Sequence, residues 1–458
     1  MAPREGSPLS LTALGQAVEA GDVDTVVVVF TDMQGRLQGK RVHARFFLEE
    51  VAPHGMEGCN YLLAVDVEMN TVAGYRNSSW ETGYGDFFIR PDLATLRRTP
   101  WMPGSAMVQC DLLVHGPDGE QELNISPRAV LRGQLAAAEA AGFGCFAGTE
   151  LEFLMFRDSF QQAADAGYAG LRGSTRYNVD YSILGTEDDE PVIRDIRNAM
   201  YAAGLTVESS KGECNLGQHE IAFKYDQALV TADNHVVFKT ASKQIASAHG
   251  KSLTFMAKYD EREGNSSHIH MSLRGLDGSL AFAAGEGGRS SVFTSFVAGV
   301  QATLREFTLL YAPNINSYKR FQAGSFAPTA IAWGEDNRTC ALRVVGHGAG
   351  LRVENRVPGA DVNPYLALAG MLAAGLWGIR TQRELEPPLT GNAYERDDVE
   401  RVPTTLREAR DLFAGSGLAR ELFGDEVVDH YVHAATIELE AFDAAVTDWE
   451  KRRGFERL

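Results

Sequence analysis

Gly148-Thr-Glu150-Leu-Glu152-Phe-Leu-Met-Phe156 is an apolar, strand-like stretch broken by two carboxylates set two residues apart. A β-strand sends residues i and i+2 to the same face, so Glu150 and Glu152 project together. His268-Ile-His270-Met-Ser-Leu273 repeats the arrangement with two imidazoles, and Glu354-Asn-Arg356 with a carboxylate and a guanidinium. Glu213-Cys-Asn-Leu-Gly-Gln-His-Glu220 adds two carboxylates seven apart; Gly217-Gln218 favours a turn between them, although the spacing also fits one stripe of a helix. Asn337-Arg338 and Arg343 follow. Buried charges must be paired or metal-bound to be tolerable, so such a face is a costly ion network or a catalytic centre.

The five carboxylates Glu150, Glu152, Glu213, Glu220 and Glu354, with the His268 imidazole, form an oxygen-dominated set. Oxygen suits Mg²⁺ or Mn²⁺ rather than zinc, which would bring more His or Cys. That much negative charge at one point calls for about two divalent cations to balance it. Arg320, Arg338, Arg343, Arg352 and Arg356 crowd the later segments, and guanidinium forks bind carboxylates and phosphates. Metals and arginines without a nucleophilic Ser or Cys arrangement suit phosphoryl transfer from ATP, which depends on positioning and charge neutralisation.

At 458 residues the chain exceeds what one core usually supports, so two domains are expected, one of them large. The hydrophobic content of 44% and charged content of 23% are those of a folded globular protein. A net charge of -18 argues against nucleic acid or an anionic membrane as partner. No secretory leader or membrane span is expected, and five scattered cysteines without a CxxC pair suggest reduced thiols and a cytoplasmic location.

Along the chain, the pattern predicts a helix over 10–20, a strand over 23–30, a turn at Asp32-Met-Gln-Gly35, and strands over 61–67 and 86–90. Gly116-Pro-Asp-Gly119 signals a turn, and Ser126-Pro127 starts a helix that runs from Arg128 to Ala141. A boundary near 120 separates a small sheet-rich domain, residues 1–120, from a large one, 121–458. Long helices are expected over 227–249, 290–311, 364–382 and 426–453.

Taken in order, these motifs resemble those of the glutamine synthetase family, and within it the ligases that make γ-glutamyl amides of ethanolamine or polyamines. Residues 148–156 resemble its GPEPEFFLF-like strand, and Glu213–Glu220 its E-x3-GQ-x-E element. Gly264–Leu273 is similar to the glycine-led HxHMSL strand. Asn316-Ser-Tyr-Lys-Arg320, Asn337-Arg338 with Arg343, and Arg352-Val-Glu354-Asn-Arg356 leading to Asn363-Pro-Tyr-Leu complete the likeness. The resemblance implies an α+β fold, with an N-terminal β-grasp domain and a C-terminal catalytic domain built on a curved antiparallel sheet. It also implies a homo-oligomer, a dodecamer of two stacked hexameric rings, with active sites between neighbouring subunits.

By position, Glu152, Glu213 and Glu220 would hold a first metal, and Glu150, His268 and Glu354 a second, within a set of about two or three Mg²⁺ or Mn²⁺ ions. His270, Arg338, Arg343 and Arg352 match contacts to the nucleotide, with Arg338 also catalytic. Arg320 and Arg356, near Gly264, match contacts to substrate carboxylates. The implied substrates are ATP, glutamate and an amine.

One departure bears on that amine. The family's flap reads roughly PGYEAP, and its glutamate helps bind ammonium; here the stretch is Ala323-Gly-Ser-Phe326-Ala-Pro328. The DGSS pattern that supplies an ammonium-binding aspartate from the neighbour is also missing, which leaves Asp66 and Asp86 as candidates. Replacing a carboxylate by Phe326 weakens an ammonium site and adds apolar surface suited to a carbon chain. The expectation is therefore a short mono-amine, ethanolamine foremost, rather than ammonium, putrescine or spermine. A non-catalytic sensor of glutamate or nucleotide would not need the full ligand set. Tyr394 aligns roughly with a tyrosine that some family members adenylylate; its surroundings differ, and no adenylylation is expected.

Overall fold

A computed structural model of the chain describes residues 9–116, 119–285 and 287–458. Its first sheet has seven strands: β1 Thr25–Thr31, β2 Leu37–His43, β3 Met56–Cys59, β4 Asp86–Pro91, β5 Arg97–Arg98, β6 Ser105–Gly116 and β7 Gly119–Glu122. The order is β2-β1-β6-β4-β3, with β1 and β6 parallel. The β-branched run of β1 is buried on both faces, which is why it lies in the middle. Pro117 and Asp118 of the expected turn lie outside the described residues.

The second sheet carries the polar pairs. Its strands are β8 Phe143–Phe156, β9 Val207–Gly212, β10 Gln218–Phe223, β11 Asp226–Gln227, β12 Ser252–Thr254 and β13 Ser267–Gly275. After a small hairpin of β14 Ala283–Ala284 and β15 Gly288–Arg289, it resumes with β16 Trp333–Glu335, β17 Leu342–Val345 and β18 Arg352–Asn355. The order is β16-β17-β18-β13-β8-β10-β9, antiparallel except between β16 and β17. Helices Pro127–Ala140, Ala228–Ala248, Ser291–Thr303 and Pro364–Arg380 pack together over the main apolar core. Two of them meet at glycines: a Cβ on Gly299 would lie 2.7 Å from the Gly378 Cα, so only bare backbones approach that closely. Among the described residues no helix is long and apolar enough to cross a membrane, and all five cysteines are free.

Three expected elements differ. Residues 61–67 are not a strand: a 3₁₀ turn spans Asn60–Leu63, and Asp66 then accepts from the Asn70 amide at 2.7 Å. That side chain offers the backbone a turn in place of a ladder, while Leu63, Ala64 and Val65 go to the core as one run. The helix expected over 290–311 breaks after Thr303 and resumes at Thr308–Tyr311. Thr303 and Thr308 donate back to the Gly299 and Leu304 carbonyls, and Phe307 turns fully inward. The C-terminal helix splits into Asp425–Ala444 and Asp448–Gly454, because Thr447 and Glu450 form a capping box that starts a new one. Ser126 stands at its helix start as expected, but its side chain makes no capping bond.

Candidate active site

Strand register assembles the polar pairs. Glu150 lies opposite His268 across β8 and β13, and Glu152 opposite Glu220 across β8 and β10. The second row continues to Lys211 on β9, and a third runs Arg343, Glu354, His270 across β17, β18 and β13. Side chains directly opposite in antiparallel strands have Cβ atoms about 4.5–5.5 Å apart, so the backbone alone fixes these neighbours. Glu213 belongs to the turn into β10, not to a helix; its amide donates to the Gln218 carbonyl at 2.9 Å.

The face opens into a cleft of about 1020 Å³ lined by Glu150, Glu152, Glu213, Glu220 and His268. Arg338, Arg343, Arg356, Gly264 and Phe326 line it as well. Glu152, Glu213 and Glu220 offer oxygens that all lie within 4.8 Å of one another. Glu152 is oriented from behind by the Ser266 amide at 2.7 Å and the Gln218 amide group at 3.1 Å. Burial, opposed by Lys211 and reinforced by Glu152, Glu150 and Glu354, pushes the Glu220 carboxyl up to about 8. The Lys211 ammonium meets the Glu213 carboxylate and stands 3.9 Å from Glu220. Excess negative charge with a cationic head seated against it fits a cation site.

Around Glu354 the partners are cationic. Its carboxylate is fully buried and accepts from Arg343 at 2.9 Å and from Arg356. Burial raises its pKa, but His268, His270 and Arg356 outweigh this and hold it below the usual carboxylate range. Glu150 behaves alike: desolvation is overcome by hydrogen bonds with His268 and His270. The second close-packed ligand trio is Glu150, His270 and Glu354, with His270 where His268 was expected. His268 Nδ1 nonetheless lies 3.3 Å from Glu150 and 3.5 Å from Glu354. Arg352 donates to His270 Nδ1 at 3.1 Å, which leaves the His270 proton on Nε2, 2.9 Å from Glu150. His268 Nε2 is a buried nitrogen with no partner, while its Nδ1 is the atom that faces both carboxylates.

A second cleft of about 860 Å³ is shared by Glu150, His270 and Arg352. Arg320 is deeper than expected: fully buried, it lines neither cleft and donates to the Arg356 and Val357 carbonyls and to Ser266 Oγ. Gly264 makes room for it, since a Cβ there would stand 2.9 Å from Arg320 Cγ and 2.2 Å from the Ala257 carbonyl. Asp66 lines a separate cleft with Met33, Tyr75 and Glu438, and Asp86 is exposed at the start of β4; neither lines the carboxylate cleft of its own chain.

Phe326 is 57% exposed at the cleft with φ +56°, unusual for an aromatic residue, and its carbonyl accepts from Arg356 at 3.4 Å. Tyr394 donates to the Ala327 carbonyl at 2.9 Å and so anchors the flap. Lys211, Ser266 and Gln218 were not found from sequence, since their roles depend on cross-strand and loop neighbours that local spacing does not reveal.

The pattern of the family described as "Glutamine synthetase, catalytic domain" matches residues 124–453. The chain is 62% identical over 451 residues to a γ-glutamylethanolamide synthetase of Streptomyces coelicolor, covering 98% of this chain and 96% of the relative. It is 38% identical over 442 residues to a glutamate–isopropylamine ligase of Pseudomonas sp, covering 95% and 96%. The solved structure of a GmaS/ADP complex superposes with a TM-score of 0.84 at 26% identity, over 97% of this chain and 99% of that one. With these matches spanning both sheets and every strand of the site, the chain belongs to the glutamine synthetase family and is a glutamine synthetase-like ligase.

Proposed function

We propose that this enzyme joins the γ-carboxylate of glutamate to a short primary amine, ethanolamine foremost, at the expense of ATP. The observation that carries the amine is Phe326, a phenyl ring at the carboxylate cleft where the family's flap supplies a glutamate. The names of the Streptomyces and Pseudomonas relatives, both amide-forming ligases of organic amines, support the same class.

In this reading Glu152, Glu213 and Glu220 hold one divalent cation and Glu150, His268 and Glu354 another. Mg²⁺ or Mn²⁺ fits their oxygen-rich donors. Bound there, the cations neutralise phosphate and carboxylate charge. Arg338, Arg343, His270 and Arg352 bind ATP phosphates, with Arg338 stabilising the transferring group. Arg356 binds the substrate carboxylate, while Arg320 holds the Arg356 carbonyl in place from behind. A γ-carboxylate oxygen attacks the terminal phosphorus of ATP and ADP leaves. The amine then attacks the acyl carbon, phosphate leaves, and the surplus amine proton passes to a carboxylate. Asp66 and Asp86 are assigned to a neighbouring subunit's site in a cytoplasmic ring assembly of two stacked hexamers. The division near residue 120 belongs to the same reading.

Phosphate release with glutamate, ATP and Mg²⁺ is to be compared across ammonium, ethanolamine, putrescine and spermine. Ethanolamine should have the highest kcat/KM, and Phe326→Glu should raise ammonium use relative to ethanolamine by about tenfold, the effect of roughly 1.4 kcal/mol in the transition state. Ammonium as the best substrate of the native enzyme would restore ordinary glutamine synthesis, and spermine or putrescine would restore a polyamine ligase. No turnover with any amine would favour a sensor.

A further inference from the structure

We propose that Lys211 is a tethered counter-cation of the first metal site, seated on its carboxylates when the divalent ion is absent and displaced when it binds. The inference rests on the assignment of Glu152, Glu213 and Glu220 as ligands. Strand register makes Lys211 the direct cross-strand neighbour of Glu220, which is itself opposite Glu152, so the lysine stem rises beside the trio whatever its rotamer. Its ammonium bonds to Glu213 and lies 3.9 Å from Glu220, and it is only partly exposed. Nothing else cationic contacts Glu213 or Glu220 among the described residues.

The exposed Tyr181 ring, with its centroid 4.9 Å from the Lys211 nitrogen, lines the seated ammonium with its π-face and leaves it on the solvent side of the carboxylates. Lysine is suited to this exchange because its head is a compact point charge on a flexible stem. One ammonium cannot match the charge of a divalent ion, so metal wins when abundant. Tethering nevertheless gives the ammonium a high local concentration, and the metal must bind against it. Lys211 would thus set the metal concentration at which the site fills, and keep the carboxylates from repelling one another when it is empty.

The test is Mn²⁺ binding to the full chain without substrates, followed by electron paramagnetic resonance of the free ion. Lys211→Met should tighten one class of sites, roughly tenfold if the seated form holds about nine-tenths of the population. Lys211→Arg should bind more nearly as the native chain does. Glu220→Gln should lose that class; if it keeps all its Mn²⁺, the ligand assignment itself fails. If Glu220→Gln loses the class but Lys211→Met binds no more tightly than native, the tethered-cation inference fails while the ligand assignment stands. The native chain gives a second check that needs no variant. Reductive methylation followed by peptide mass spectrometry should label Lys211 faster with Mg²⁺ than with chelator, and an equal or slower rate would overturn the displacement.

Discussion

Asp189 shows how far behind the cleft the site is braced. It is fully buried and accepts from Ser174 at 2.6 Å and Lys251 at 2.8 Å, and lies 2.9 Å from His219 Nε2. His219 points to the opposite face of β10 from Glu220, so this cluster pins the strand that carries Glu220 into the cleft. Burial raises the Asp189 pKa, but His219, Lys251 and Ser174 more than offset it and hold the carboxyl at about 2, below the ordinary 3.8. A depressed carboxylate stabilises the fold above its unfolded pKa, and that contribution is lost as pH falls from 3.8 towards 2. The difference corresponds to about 2 kcal/mol. Asp189→Asn should therefore cost about 2–4 kcal/mol in urea unfolding at pH 7 and lose less than the native chain between pH 5 and pH 3. An unchanged slope across that range would show that Asp189 is not the titrating group. None of this was legible in the sequence, because Asp189, His219 and Lys251 come from three separate segments. The pairs Glu150/Glu152 and His268/His270 were legible because strand periodicity is local.

At the scale of elements, the two sheets are joined by charge as well as by apolar packing. Arg128, on the helix after the first sheet, is buried among Asp92 and Asp111 of the small sheet's side and Asp233 of helix Ala228–Ala248. The Tyr365 hydroxyl donates to the same Asp233 at 2.6 Å and lies 2.9 Å from the Gln109 amide oxygen. Asn363 then reaches back from the start of its helix to the Asp32 and Met33 carbonyls of the expected turn. Arg128→Met should strip these aspartates of their shared guanidinium and cost about 3–5 kcal/mol, seen by calorimetry as a lowered first transition when the small sheet loses its anchor. A thermogram identical to the native one would show that apolar packing alone joins the sheets. The sequence marked residue 128 only as the start of a helix. It did identify Asn363-Pro-Tyr as a motif, but not its long reach to the first sheet, since the cap accepts locally through its side-chain oxygen and its amide nitrogen is free to donate elsewhere. Helix lengths were overestimated for a related reason: Thr303, Thr308 and Thr447 keep the periodic pattern while their hydroxyls bond to nearby backbone.

At the scale of the molecule, the cleft gathers Glu150, Glu152, Glu213, Glu220 and His268 with Arg338, Arg343 and Arg356 but holds none of the small sheet's carboxylates. Asp66 lines its own separate cleft and Asp86 is exposed at the start of β4. Large apolar side chains stay exposed, among them Trp80 between β3 and β4 and Ile183 and Leu184 between β8 and β9. Exposed apolar side chains of this size suit a contact between subunits. If the small sheet of one subunit closes the cleft of the next, the two kinds of carboxylate belong to one site built from two chains. Subunit mixing separates this arrangement from a self-contained site. Glu152→Gln should abolish turnover by removing a metal ligand, and a double variant Asp66→Asn/Asp86→Asn should lower it by about tenfold or more by weakening amine capture. Co-assembling the two variants after partial dissociation should restore part of the activity, because some sites then combine an intact Glu152 with an intact neighbour. Under random assembly the restored fraction should approach about a quarter of the native sites, against at most about a tenth, the remainder left by the double variant, when the two are mixed without dissociation. Mixed assemblies no more active than the separate variants would show that each chain builds its site alone, and would remove Asp66 and Asp86 from the amine's path.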